Sequence, residues 1–195
     1  MTRTIFHSAA AALISAMAVG AQTPTPTPPQ TPSTREEADN QAKLASLDKM
    51  PGYAGIAFGA DFQAKDFEIE QDRGALKIYR QSEEPVLIGP ALVNDVLFHV
   101  FEGKFYGVAF HTNDGQDSLA LKGVLVNAFG TGTDAADYGP STIWIGKDRG
   151  ALFDLNTATG EGSAFIFDHT LHNKVLTQQS KASQSAAQQL IQGKP

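Results

Sequence analysis

Along KDFEIEQDRGALKIYR, Phe67 and Ile69 alternate with Asp66, Glu68 and Glu70. That is the period-two pattern of a half-exposed strand. Asp72-Arg73-Gly74 suits a turn closed by a left-handed glycine, so Ala75 to Arg80 is expected to return as the second strand of a hairpin. The stretch VLFHVFEGKFYGVAFHTN, Val96 to Asn113, reads as another hairpin. Glu102-Gly103 fills its two central turn positions, because glycine accepts φ > 0 without steric cost. A two-residue loop opposes Phe101 to Lys104 and His99 to Tyr106. Leu97, His99, Phe101, Tyr106, Val108 and Phe110 then share one side; Val96, Phe98, Val100, Phe105 and His111 share the other. Both sides are largely apolar, which predicts a central hairpin covered on both faces. His99 and His111 point to opposite faces in this register and cannot share a site; a three-residue loop would reverse that.

Helical periodicity is clearest in NDGQDSLALKGVLVNAFG, where Leu121, Val124, Leu125, Ala128 and Phe129 fall at i, i+3, i+4, i+7 and i+8. Asp117 or Ser118 can cap its start and Gly130 its end, with Asp114-Gly115 as the turn before the cap. A weaker helix is predicted from about Arg35 to Met50, on Leu44 and Leu47, with glutamates early and Lys49 late. STIWIG, ALFDL and SAFIF read as three short strands. The segment from 170 to 195 is rich in Gln, Ser and Ala and is expected to be a loosely docked or frayed helix. DRGAL occurs at Asp72–Leu76 and again at Asp148–Leu152, each copy between two strands and downstream of a helix and a Phe-Gly pair. The pattern predicts an α+β fold: one broad antiparallel sheet of about 6–8 strands, built from two tandem helix-plus-meander halves (about 35–112 and 113–169) with helices on one face.

Ahead of this domain (35–169), Arg3 precedes a short apolar run and a Val-Gly-Ala pattern suited to cleavage after Ala21. Residues 1–21 therefore read as a secretory signal peptide, too short in its apolar part to span a bilayer. Residues 22–34 form a Pro/Thr-rich linker of extended, polyproline-like character. The expected location is outside the cytoplasm, periplasmic or secreted, with no membrane insertion after cleavage. The chain has no cysteine, so disulfides and thiol chemistry are excluded. A formal net charge of −6 without a basic cluster argues against nucleic acid as a partner.

Candidate chemistry is sparse. Asp168, His169 and His172 offer two imidazoles one helical turn apart and a carboxylate, which could begin a zinc site. Asp168 or Thr170 as a helix cap at a strand-to-helix junction is the plainer reading. There is no Gly-x-Ser-x-Gly elbow, and Gly130-x-Gly132 follows a helix where nucleotide-binding glycines follow a strand. Trp144 lies mid-strand between Ile143 and Ile145, in the core or on a binding face. Arg73 and Arg149 occupy equivalent repeat turns and are expected to be exposed contact residues; His111, at a strand end near a loop, is a further binding candidate. Reactive polar groups are expected to be dispersed, not gathered in a shared cleft.

The run NDVLFHVFEGKFYGVAFHTNDGQDSLALKGVLVNAFGTG, with the later IWIG, resembles a pattern in small exported bacterial proteins of unknown function. The resemblance covers about the middle third of the chain and implies no activity. The tandem arrangement also looks like that of secreted beta-lactamase inhibitory proteins, where a concave sheet grips a partner; this is analogy of fold alone. The expected function is an exported, non-enzymatic binding or accessory protein of the bacterial envelope. It would contact a protein partner through a sheet face or the repeat loops and need no cofactor. The alternative is a metal-assisted or acid–base hydrolase using His169, His172 and His111.

Overall fold

The structure is a computed structural model that describes residues 34–81, 84–135 and 140–192. The expected signal peptide and nearly all of the linker lie outside the described residues. Chain order is α1 (Thr34–Asp48), β1 (Gly52–Tyr53), β2 (Ile56–Ala57), β3 (Glu68–Arg73), β4 (Leu76–Arg80), β5 (Val86–Ile88), β6 (Ala91–Val93), β7 (Asp95–Phe101) and β8 (Lys104–Thr112). Then come α2 (Gly115–Phe129), β9 (Thr133–Asp134), β10 (Thr142–Ile145), β11 (Arg149–Leu155), β12 (Gly162–Asp168) and α3 (His169–Ile191). The fold is α+β. Its main sheet has 8 strands, all antiparallel, in the order β3-β4-β7-β8-β12-β11-β10-β9. The 2-stranded pairs β1-β2 and β5-β6 stand apart from it.

One face of the sheet carries the main core. Leu47 of α1 and Leu121, Leu125 and Phe129 of α2 pack on Phe98, Phe105, Val108, Phe110, Trp144, Phe153 and Ile166. Tyr53, Phe58, Phe62 and Phe67, from the segment between α1 and β3, complete this layer with ring centroids 4.8–6.3 Å from their neighbours. The second face holds a much smaller cluster, Phe101, Tyr106 and Val175, with Leu76, Phe165, Phe167 and Leu171 against it. Val175 and Leu171 belong to α3. Helices therefore lie on both faces: α1 and α2 on one, α3 on the other. This corrects the expectation of helices on a single face.

The two DRGAL segments are not conformationally equivalent. In the first, Arg73 pairs with Leu76 and Gly74 has φ +73 inside a two-residue turn. In the second, the turn falls earlier and Gly150 is already in β11, paired with Phe167. A Cβ on Gly150 would lie 2.5 Å from the Phe167 ring, so glycine is required there for close approach and not for a turn. The difference traces to Asp48, whose carboxylate accepts the backbone N–H groups of Lys147, Asp148 and Arg149 at 2.8, 2.8 and 3.1 Å. The helix end thus moulds the second loop, whereas in the first the Gly74 N–H is held by a carboxylate of the turn itself, Asp72, at 2.8 Å.

Smaller expectations met mixed outcomes. Glu102-Gly103 does form a two-residue turn, with φ +51 and +77 and Phe101 opposite Lys104. The α2 cap is Asp114, whose Oδ1 accepts the Asp117 N–H at 2.9 Å, in place of Asp117 or Ser118. Ser118 is instead buried, bonded to Thr112 Oγ1 at 2.6 Å and donating to Gly160 O. Asp168 caps α3 by accepting the Leu171 N–H at 2.9 Å.

Candidate functional site

A β-bulge decides which side chains meet. His99 pairs with Gly107 and Val100 with Phe105, so Tyr106 is an extra residue on β8. Side chains alternate along a strand, so one inserted residue moves everything beyond it to the other face. Val108 and Phe110 therefore enter the main core. Gly107, Ala109 and His111 face the α3 side, with Leu97 and His99. His99 and His111 share a face, which corrects the opposite-face expectation. A glycine within an apolar strand is the sequence signal that marks such a bulge. Gly107 also leaves room for the Phe165 ring, which a Cβ there would approach to 2.6 Å.

Residues paired directly across antiparallel strands stand on one face, so the ladder can be read as rows. The row Ile143–Leu152–Phe165–Ala109–Leu97 crosses five strands and ends at Arg80. Leu97, Leu152 and Ile143 are half-buried but belong to neither hydrophobic cluster. Nearby, Ile145 is 67% exposed. The reason is the path of α3. Starting at the end of β12, it crosses only the part of this face near Phe101, Tyr106 and Leu76. Among the described residues, neither hydrophobic cluster takes in the Leu97, Leu152 and Ile143 part of this face.

The next row is polar: Asp154–Ser163–His111–Asp95. These residues, with Asn113, Asn156 and Glu161, line a cleft of about 380 Å³ at the β8–α2 and β11–β12 ends. Arg80 binds both Asp95 (3.0 Å) and Glu70 (3.1 Å), and Ser141 Oγ donates to Asp154. Burial is the main cause holding His111 below its usual pKa; Asp95 opposes the shift and Arg80 adds to it. This gathering of an imidazole and carboxylates in one cleft corrects the expectation that such groups are dispersed. Serine, histidine and aspartate do fall side by side here. Nucleophilic catalysis needs the carboxylate to orient the imidazole, and the contact Asp95 makes through Oδ1 is with Arg80, at 3.0 Å, not with His111.

A second imidazole group lies under α3. His172 packs on Phe167 at 4.2 Å and near Phe165 and Tyr106, while His99 packs on Phe165 at 4.8 Å. Burial, with His111 and His172 contributing, brings His99 down to a pKa of about 4; burial and then His169 lower His172. The His169 ring lies tilted against Phe167 at 5.6 Å, and Asp168 pairs with Arg149 at 2.6 Å. The Asp168 carboxylate is thus occupied by Arg149 and by the α3 cap. Among the described residues no group of three or more His, Asp or Glu side chains is placed to hold a metal ion. Asp168, His169 and His172 stand at the start of α3, where Asp168 accepts the Leu171 N–H and both imidazoles pack on the Phe167 ring.

The other sequence candidates separate. Arg149 is not an exposed contact: its side chain is 18% exposed, ion-paired, and over the Phe58 ring at 5.0 Å. Trp144 is 1% exposed, and its Nε1 donates to Gly130 O at 2.7 Å, so it is core and not a binding platform. Arg73 is exposed, beside α3 and far along the sheet from Arg149. Only His111 reaches the open cleft. Asp95, Asp154, Leu97, Leu152 and Ile143 escaped sequence reasoning because their meeting depends on strand order and on the bulge.

The chain matches no family model, no curated protein and no solved structure. No described helix is long and apolar enough to cross a membrane. The class defined by fold and site is an α+β protein whose antiparallel sheet is covered by α1 and α2 on one face and only in part by α3 on the other.

Proposed function

We propose that this is an exported, non-enzymatic binding protein that receives a protein partner on the part of the sheet face α3 leaves open. The carrying observation is the row Leu97, Leu152 and Ile143, apolar and surface-accessible yet part of neither hydrophobic cluster. Contiguous apolar surface on a folded domain commonly marks an interaction site. Export rests on the N-terminal pattern of residues 1–21.

The test compares capture from an envelope extract by the wild-type chain and by L97D/L152D, with L119D as control. Leu119 is 60% exposed on α2, on the opposite side of the sheet. The same captured protein should be lost with L97D/L152D and kept with L119D. Equal capture by all three chains, each shown to be folded by its thermal transition, would refute the reading.

A further inference from the structure

The open face is not electrically neutral. The carboxylates of Asp95, Asp154 and Glu161 line the cleft at its polar edge, and at the β7 end Glu70 joins Asp95 on one guanidinium, Arg80. Arg80 is already bound to two of them. His111 adds no positive charge at neutral pH, because burial keeps its imidazole unprotonated. Each carboxylate has about four lone-pair directions, and the internal partners of Asp95, Asp154 and Glu161 engage one oxygen of each: Arg80, Ser141 and Thr159. Acceptor capacity is left over on three carboxylates that line the same cleft. The apolar row lies two residues away along every strand, roughly 7 Å at strand rise.

We infer that the partner presents a basic segment flanked by apolar residues: its apolar side chains cover Leu97, Phe165, Leu152 and Ile143, and a lysine or arginine enters the cleft among Asp95, Asp154 and Glu161. This rests on the open face being the docking surface and adds the chemistry of what docks there. An ammonium group carries three donors and no acceptor, which matches a cleft rich in unspent acceptors. An acidic segment would meet like charge, which selects against such partners. A second copy of this chain is a poor occupant for the same reason, since its own net charge is −6.

The test uses the full chain and three synthetic nonapeptides: alternating Lys/Leu, alternating Glu/Leu and alternating Lys/Ser, titrated by fluorescence anisotropy. The Lys/Leu peptide should bind more tightly than either other peptide. E161Q and D154N/E161Q should weaken it, the double variant by about tenfold, as expected for two partly exposed charge contacts. E37Q/D39N on α1, across the sheet, should leave its affinity unchanged. Raising salt from about 0.1 to about 1 M, which shortens the screening length from about 10 to about 3 Å, should weaken Lys/Leu binding. Glu161 is exposed, so E161Q alone decides the matter should D154N impair folding. Equal affinity for Lys/Leu and Glu/Leu, or equal losses from E37Q/D39N and D154N/E161Q, would overturn the inference. If L97D/L152D abolishes capture while the charge variants leave peptide affinity untouched, the basic partner is refuted and the docking face stands. If neither set has an effect, both fall.

Discussion

Asp48 closes α1 onto the β10–β11 loop through three backbone N–H donors, and Gly146 approaches it so closely that a Cβ there would lie 2.4 Å from its Oδ1. Burial alone would raise the pKa of this carboxyl, but the N–H groups of Lys147, Asp148 and Arg149, with His169, hold it below 3.8. A depressed carboxylate stabilises the fold above the unfolded value and loses that contribution as pH falls through the folded one. D48N keeps the shape and removes the charge, so it is expected to cost about 1–2 kcal/mol by urea unfolding at pH 7. The histidines act in another window. His99 titrates near 4 when folded and near 6.5 when not, so between those values the unfolded chain binds more protons. Its contribution is complete above pH 6.5, declines towards pH 4 and is flat below, amounting to at most roughly 3 kcal/mol. H99F should flatten stability against pH across that interval, measured by denaturant midpoints at several pH values; an unchanged slope would show that His99 does not govern it.

At the scale of elements, the turn of the β7–β8 hairpin could be read from Glu102-Gly103, but its facing could not. Counting outward from a two-residue turn gives the right pairs only as far as Val100 and Phe105. Tyr106 then breaks the count, and Gly107 is its only local trace. Deleting Tyr106 would drive Val108 and Phe110 out of the main core and push His111 into it, so the deletion variant should fail to show a cooperative thermal transition. The DRGAL copies both fall at hairpins, β3–β4 and β10–β11, yet identical residues adopt different conformations there, and the second copy is held by the Asp48 carboxylate. The stripe of α2 was legible because a helix of that length presents Leu121, Leu125 and Phe129 together whatever surrounds it. α3 was only half legible. Val175 is its buried anchor, while the side chains from Leu176 to Gln189 are exposed. Truncation after Gln179 should change stability by less than about 1 kcal/mol, whereas V175D should cost about 2–4 kcal/mol, as for an unpaired charge placed in a core.

For the whole molecule, α+β class and a broad antiparallel sheet followed from strand periodicity and turn residues. The candidate face did not, because it is made by strand order: β12 lies between β8 and β11 and brings Ser163 beside His111 and Asp154. No local pattern carries that adjacency. The sheet also has two rims. β3 bears Glu68, Glu70 and Asp72, with Arg80 and Lys77 paired to them, and β9 at the other end is only Thr133–Asp134. Charge on one rim and brevity on the other deny a foreign strand the long, bare backbone ladder it would need to extend the sheet. A sample concentrated for weeks should accordingly keep its sedimentation coefficient and develop no thioflavin signal. Whatever approaches this molecule in a crowded compartment is steered towards a broadside encounter, because sideways growth into ribbons is closed at both margins.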